Sequence, residues 1–254
     1  MGRSAALFLI VLAVGAMTLA PRGGAQAQDG QEEGPIEIEK CQTISQPGSY
    51  KLVKNLTFTG SSGACLMITA SGVTLDLAGF TISGHTNVPP TPEITAILGW
   101  GDLRGIAVQN GSVSGFWIGV DLGSATGSLV EKLRVFNFIP ITTTTTGPTG
   151  IIASGIVRSN AVFGPLTTFP LAEGIRATGT LTGNYVTDNA AGMVIGRGST
   201  VIGNTATDNR QFGFLVTCPS NVTDNTAVNN PDGNLVLETS RGSCNITNNV
   251  APTP

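Results

Sequence analysis

Asparagine recurs in this chain with a period. Asn184, Asn204, Asn225 and Asn248 lie 20, 21 and 23 residues apart, and a second asparagine follows the first three at five residues: Asn189, Asn209 and Asn230. Glycine joins the register at Gly192, Gly213 and Gly233, each followed by aliphatic residues, and Gly119, Gly150 and Gly174 open similar runs upstream. A repeat of this length excludes most folds. Each unit must be one small supersecondary element that buries its apolar face only by stacking on the next.

Each unit holds two or three short runs of alternating character, rich in Val, Ile and Thr and separated by Asn, Gly, Asp or Thr. Such runs are short strands joined by turns. Leucine-rich repeats share the length but need a fixed leucine scaffold, and leucine is too sparse here. A two-sheet sandwich has turn signals but no asparagine register. The fold expected is therefore all-β, a solenoid of parallel strands with one coil per repeat, of roughly nine coils spaced about 4.8 Å apart. An inward asparagine in such a stack satisfies the backbone of a buried turn and bonds its counterparts above and below. That predicts Asn189, Asn209 and Asn230 buried in one ladder.

Composition removes several functions. Charged residues are 11% of the chain, against about 25% in an average soluble domain. The net charge of −3 gives no footprint for nucleic acid. A single histidine excludes any site that needs two imidazoles.

Residues 1–27 read as a signal peptide: Arg3, an apolar run from Ala5 to Ala20, and Ala25-Gln26-Ala27 before the cleavage point. The apolar run makes about 24 Å of helix, short of a hydrocarbon core of about 30 Å. No membrane span is expected after cleavage, and the localisation expected is secreted or periplasmic. Residues 28–40 read as an acidic flexible leader, 41–250 as the solenoid and 251–254 as a tail. The cysteines fall as an early pair, Cys41 and Cys65, and a late pair, Cys218 and Cys244, without the spacing of zinc or redox sites. In an oxidising compartment they read as two local disulfides, each closing about one coil.

Val73-Thr-Leu-Asp-Leu-Ala-Gly-Phe-Thr-Ile-Ser-Gly84, the opening Cys41…Pro47-Gly48-Ser-Tyr50 and the Asn-x-x-x-x-Asn…Gly coils resemble exported right-handed parallel β-helix proteins of the pectin-lyase-like superfamily. The resemblance implies a right-handed parallel β-helix. Such folds host polysaccharide lyases, hydrolases and epimerases, and also tailspikes and adhesins, so it implies no single activity. The Asn-Thr-Asp, Asp-Asp, Gly-His-Gly, Arg-Ile-Lys and Asp-Pro-His motifs of its hydrolases and epimerases are missing.

Coil phase points to candidate residues. The residue after each Gly is expected to point inward and the next outward, which gives an outward row of Asp121, Ile152, Arg176, Val194, Leu215 and Leu235. Asp121 and Arg176 would stand two coils apart, about 10 Å, and bracket a sugar ring. With Arg158 they are the candidate catalytic residues of a lyase-type reaction, in which Arg176 or Arg158 takes the C5 proton of a uronate. His85, Asp121 and Arg176 are the candidate substrate-binding residues. Asp188 and Asp208 share a phase on adjacent coils and are candidate ligands of a calcium cofactor. Val194, Leu215 and Leu235 form an apolar stripe suited to a homo-oligomer contact. Three insertions, Thr86–Glu93, Ile139–Pro148 and Phe163–Pro170, fall at one phase and are expected to project from one side. The expected function is polysaccharide binding or processing; the alternative is a non-catalytic β-helix used for surface attachment.

Overall fold

A computed structural model describes residues 34–84, 94–136, 147–164 and 171–253. Every described strand pairs in parallel with the strand one coil away, and three stacks result. Face A runs through Gln42–Ile44, Ala64–Ile68 and Thr95–Gly99. It continues through the first parts of Ile118–Phe136, Thr149–Arg158 and Glu173–Thr182, and ends with Ala191–Ile195, Phe212–Thr217 and Gly233–Glu238. Face B runs from Ile36–Ile38 and Gly48–Leu52 to Asn221–Thr223 and Asn245–Thr247. Face C includes Thr81–Ser83, Ala161–Phe163, Tyr185–Thr187, Thr205–Thr207 and Thr226–Val228. The chain visits A, B and C in order and then repeats. The fold is the all-β parallel solenoid that the period implies.

The three faces enclose one apolar column. Ile97, Val120, Ile151, Ile175, Met193 and Phe214 enter it from face A, each at most 1% exposed. Val130, Val157, Leu181, Val201 and Val222 enter from face B, and Val135, Val162 and Val186 from face C, all fully buried. Face C then narrows to the buried Ala206 and Ala227 at the coils where face A supplies the large ring of Phe214. Such volume exchange keeps an interior close-packed.

Two asparagine ladders climb the corners. Between faces B and C, the side-chain oxygens of Asn184, Asn204, Asn225 and Asn249 each accept from the backbone N–H and the amide of the ladder residue one coil earlier, beginning at Asn160. Between faces C and A, the Asn209 oxygen accepts from the Asn189 N–H, and Asn230 serves Asn209 in the same way. Asn189, Asn209 and Asn230 are at most 1% exposed, as the stacking argument requires. The ladder member expected at Asn248 is instead Asn249. Asn248 occupies the left-handed turn position just before it, at φ 53°, as Asp224 does before Asn225 at 55°.

The glycine register has a cause in the second ladder. A Cβ on Gly192 would lie 2.8 Å from the Asn209 amide nitrogen and 2.6 Å from the Gly213 carbonyl of the next coil. Gly213 stands in the same relation to Asn230, and Gly174 to Asn189 at 3.1 Å. Each glycine is bare because the following coil's asparagine and backbone fill the space a side chain would need.

Both disulfides form as paired in sequence, Cys41–Cys65 and Cys218–Cys244, and no cysteine is free. The insertions Thr86–Glu93 and Ile139–Pro148 and the stretch 165–170 lie outside the described residues, apart from Gly147 and Pro148. So do the signal segment and residues 28–33 of the leader; the rest of that leader, expected to be flexible, carries the face B strand Ile36–Ile38. The strands flanking the three insertions all leave face C and enter face A, so the interruptions open at one corner.

Candidate functional site

Face A carries an outward row whose register is fixed by pairing: Met67, Leu98, Asp121, Ile152, Arg176, Val194, Leu215 and Val236. Asp121 and Arg176 are two coils apart with Ile152 between them, as coil phase predicts. The last member departs from expectation. Leu235 pairs with the inward Phe214 and packs against the core, and Val236 takes its outward place. The reason is Asn234, which occupies the rung position of Gly213 and shifts the count from Gly233 by one.

A shallow depression of about 320 Å³ lies along this row, lined among others by Gly123, Ile152, Arg176, Thr178, Val194 and Thr217. Its one lining cation is held in place. The Arg176 Nε donates to Glu173 Oε2 at 2.7 Å, and Nη2 donates to the other carboxylate oxygen. Residues three apart on a regular strand face opposite sides. Here Gly174 and Ile175 are both buried, which breaks the alternation and turns Glu173 and Arg176 to the same side. The forked pair orients the guanidinium, and an arginine stays protonated throughout the physiological range. Held so, it presents its remaining N–H groups as oriented donors. Across the row, one Asp121 oxygen accepts from the Gly123 N–H at 3.0 Å.

Arg158 does not belong to this face. The chain turns from face A to face B near Gly155, where a Cβ would strike the Ser128 backbone, and Arg158 stands on face B as the rung partner of Glu131. Its Nε donates to the nearly buried Glu131 carboxylate. Arg158 and Arg176 thus lie on different faces, so the fold does not bring together the candidate catalytic set of Asp121, Arg158 and Arg176. His85 lies outside the described residues.

Asp188 and Asp208 do share a phase. Both take the left-handed turn position before a ladder asparagine, at φ 63° and 54°, as does Asn229 at 58°. Their oxygens meet protein donors. Asp208 accepts from Asn229 Nδ2 at 2.9 Å and Thr207 Oγ1 at 2.8 Å, and Asp188 from Thr187 Oγ1 at 3.2 Å. Burial lowers the Arg210 guanidinium from its ordinary value, and the nearby Asp188 charge works against that shift. A cation at this corner would compete with these donors. Among the described residues there is no cluster of three or more His, Cys, Asp or Glu side chains.

Sequence reasoning missed Glu173, Glu131 and Trp100. Cross-rung neighbours 27 residues apart leave no local signal, and the Glu173–Arg176 pair runs against strand alternation. Trp100 was legible in principle: a large ring two residues past the outward Leu98, in a chain with only two tryptophans.

No protein-family model matches the chain, and no curated protein matches it. One solved structure that resembles it is the A-module of the mannuronan C-5 epimerase AlgE6 of Azotobacter vinelandii, with 12% identity and a TM-score of 0.30 over 87% of this chain and 90% of that one. A superposition this loose carries no argument about what this chain does.

Proposed function

We propose that this chain is an exported polysaccharide-binding β-solenoid that holds its ligand along face A. The observation that carries the reading is the open depression lined by Ile152 and by Arg176, whose fork is aimed by Glu173, with Asp121 on the rung on the other side of Ile152. An oriented donor and an acceptor on either side of an apolar residue suit sugar hydroxyls over a sugar's apolar face. The two disulfides support an oxidising destination. A lyase step is not part of the proposal, because Arg176 is committed to a carboxylate and Arg158 stands on another face.

A glycan array probed with the exported protein tests this. Wild type is expected to retain a defined set of linear glycans, and Arg176→Ala to weaken retention about tenfold, or 1.4 kcal/mol. Arg176→Lys serves as the control for leaving Glu173 alone. Ultraviolet absorbance of an unsaturated product, followed with and without calcium, should stay flat; a rise would overturn the non-catalytic part. An array without any bound glycan would overturn the whole proposal.

A second reading, attachment or assembly, is favoured by Val194, Leu215 and Val236, three consecutive apolar rungs on the same outward row. Concentration-dependent oligomers that dissociate in Leu215→Lys would support it.

A further inference from the structure

Trp100 is the most exposed large apolar side chain among the described residues, at 66%, whereas Trp117 is 3% exposed. Leaving an indole in water forgoes a large burial term and no described residue stacks on it. Its place is fixed by the ladder. Trp100 N–H donates to the Ile68 carbonyl, continuing face A, and its neighbour two residues back, Leu98, is the rung partner of Asp121. Trp100 directly follows the last residue of its strand, and on the next coil Gly123, two residues past Asp121, lines the depression, whose lining does not include Trp100. Gly123 has no side chain to fill the gap, and a Cβ there would lie 2.9 Å from Ile152 and 3.3 Å from the Asp121 carboxylate. A strip of face A thus carries the exposed Trp100 on one coil, Gly123 on the next, Ile152 on the third and Arg176 on the fourth.

We propose that this strip binds a neutral, unbranched polysaccharide lying parallel to the coil axis, with one pyranose ring stacked on Trp100. The inference rests on the polysaccharide-binding reading above and adds the far end of the site, the direction of the ligand and its charge class. The rungs are about 4.8 Å apart, close to the length of one sugar unit, so successive sugars meet successive rungs. Charge decides against a polyanion. Asp121 and Glu173 are two carboxylates on the strip, and its one cation, Arg176, already forks onto Glu173. Each carboxylate of a polyuronate would meet an uncompensated Asp121 before it met a free cation. Sugar hydroxyls have no such conflict: they donate to the second Asp121 oxygen and accept from the remaining Arg176 N–H groups.

The two tryptophans make the test direct. Acrylamide quenching of the intact protein should report one accessible and one protected indole. Cellohexaose, mannohexaose and xylohexaose, titrated beside oligogalacturonate and oligomannuronate of equal length, should shield the accessible indole only with a neutral member. Trp100→Ala should weaken that binding at least about tenfold and Trp100→Phe by less than about threefold, because the phenyl ring still stacks. Both variants should keep the wild-type melting temperature. Neutral-sugar binding that Trp100→Ala leaves intact but Arg176→Ala destroys would overturn this inference and leave the general reading standing. Shielding by the acidic oligomers alone would overturn the charge class. Absence of any oligosaccharide binding by wild type would overturn both.

Discussion

Asn209 shows how much one side chain does here. Its amide donates to Asn230 Oδ1, and its oxygen accepts from the Asn189 N–H, inside a corner that no water reaches. Truncation leaves the Asn189 N–H and the Val186 carbonyl without this side chain as partner. Asn209→Ala is expected to lower unfolding stability by about 1–3 kcal/mol, measured by urea denaturation. Asn189→Ala should cost less, because its oxygen has no described partner and only its bond to the Thr187 carbonyl is lost. The ladders were legible from spacing alone, but not to the residue. A left-handed turn position precedes each ladder asparagine and itself favours Asn, Asp or Gly. At Asn248-Asn249 both positions are asparagine, and spacing cannot tell the turn from the rung. Asn160 was not legible either, because no asparagine precedes it in the ladder: its oxygen accepts from the Leu133 N–H.

At the scale of the strand, glycine and asparagine turn out to be one signal. Gly192→Ala should destabilise by about 1–3 kcal/mol, since the new methyl group meets the Gly213 carbonyl and neither backbone can yield without shifting a rung. Thermal unfolding of this variant beside Asn209→Ala would show whether the two defects add; contact between the two sites predicts that they do not. The outward row of face A was readable because each member from Asp121 to Leu215 stands two residues past a register glycine. Alternation failed the reading in three places, each with a local cause. Asn234 shifts the count before Leu235. The corner at Gly155 is turned within one continuous strand, so nothing in sequence marks the change of face before Arg158. The paired burial of Gly174 and Ile175 brings Glu173 beside Arg176.

For the molecule as a whole, stability is close to a sum over neighbouring coils. The two disulfides staple coils near either end, with sequence separations of 24 and 26. Closing loops of that size contributes roughly 3 kcal/mol each in the chain-entropy model. Replacing Cys218 and Cys244 with serine should release the late coils first. Hydrogen exchange should then quicken over residues 212–247 while the rungs around Val130 and Val157 keep their protection. Uniform loss of protection would mean the coils unfold as one cooperative block. The fold class was legible because a solenoid writes its period into the chain; the site was legible only as far as a row, because what selects a ligand lies across rungs.

Asn234 has a consequence for the molecule's length. Everywhere else along its ladder, each asparagine is answered by the next coil, and that open demand is what lets one more repeat be added. Asn234 answers Asn230 from only four residues away, accepting from both its backbone N–H and its amide, and then donates to the Pro252 carbonyl. The place an incoming repeat would take is already filled. At this corner the misaligned asparagine closes the ladder within its own coil.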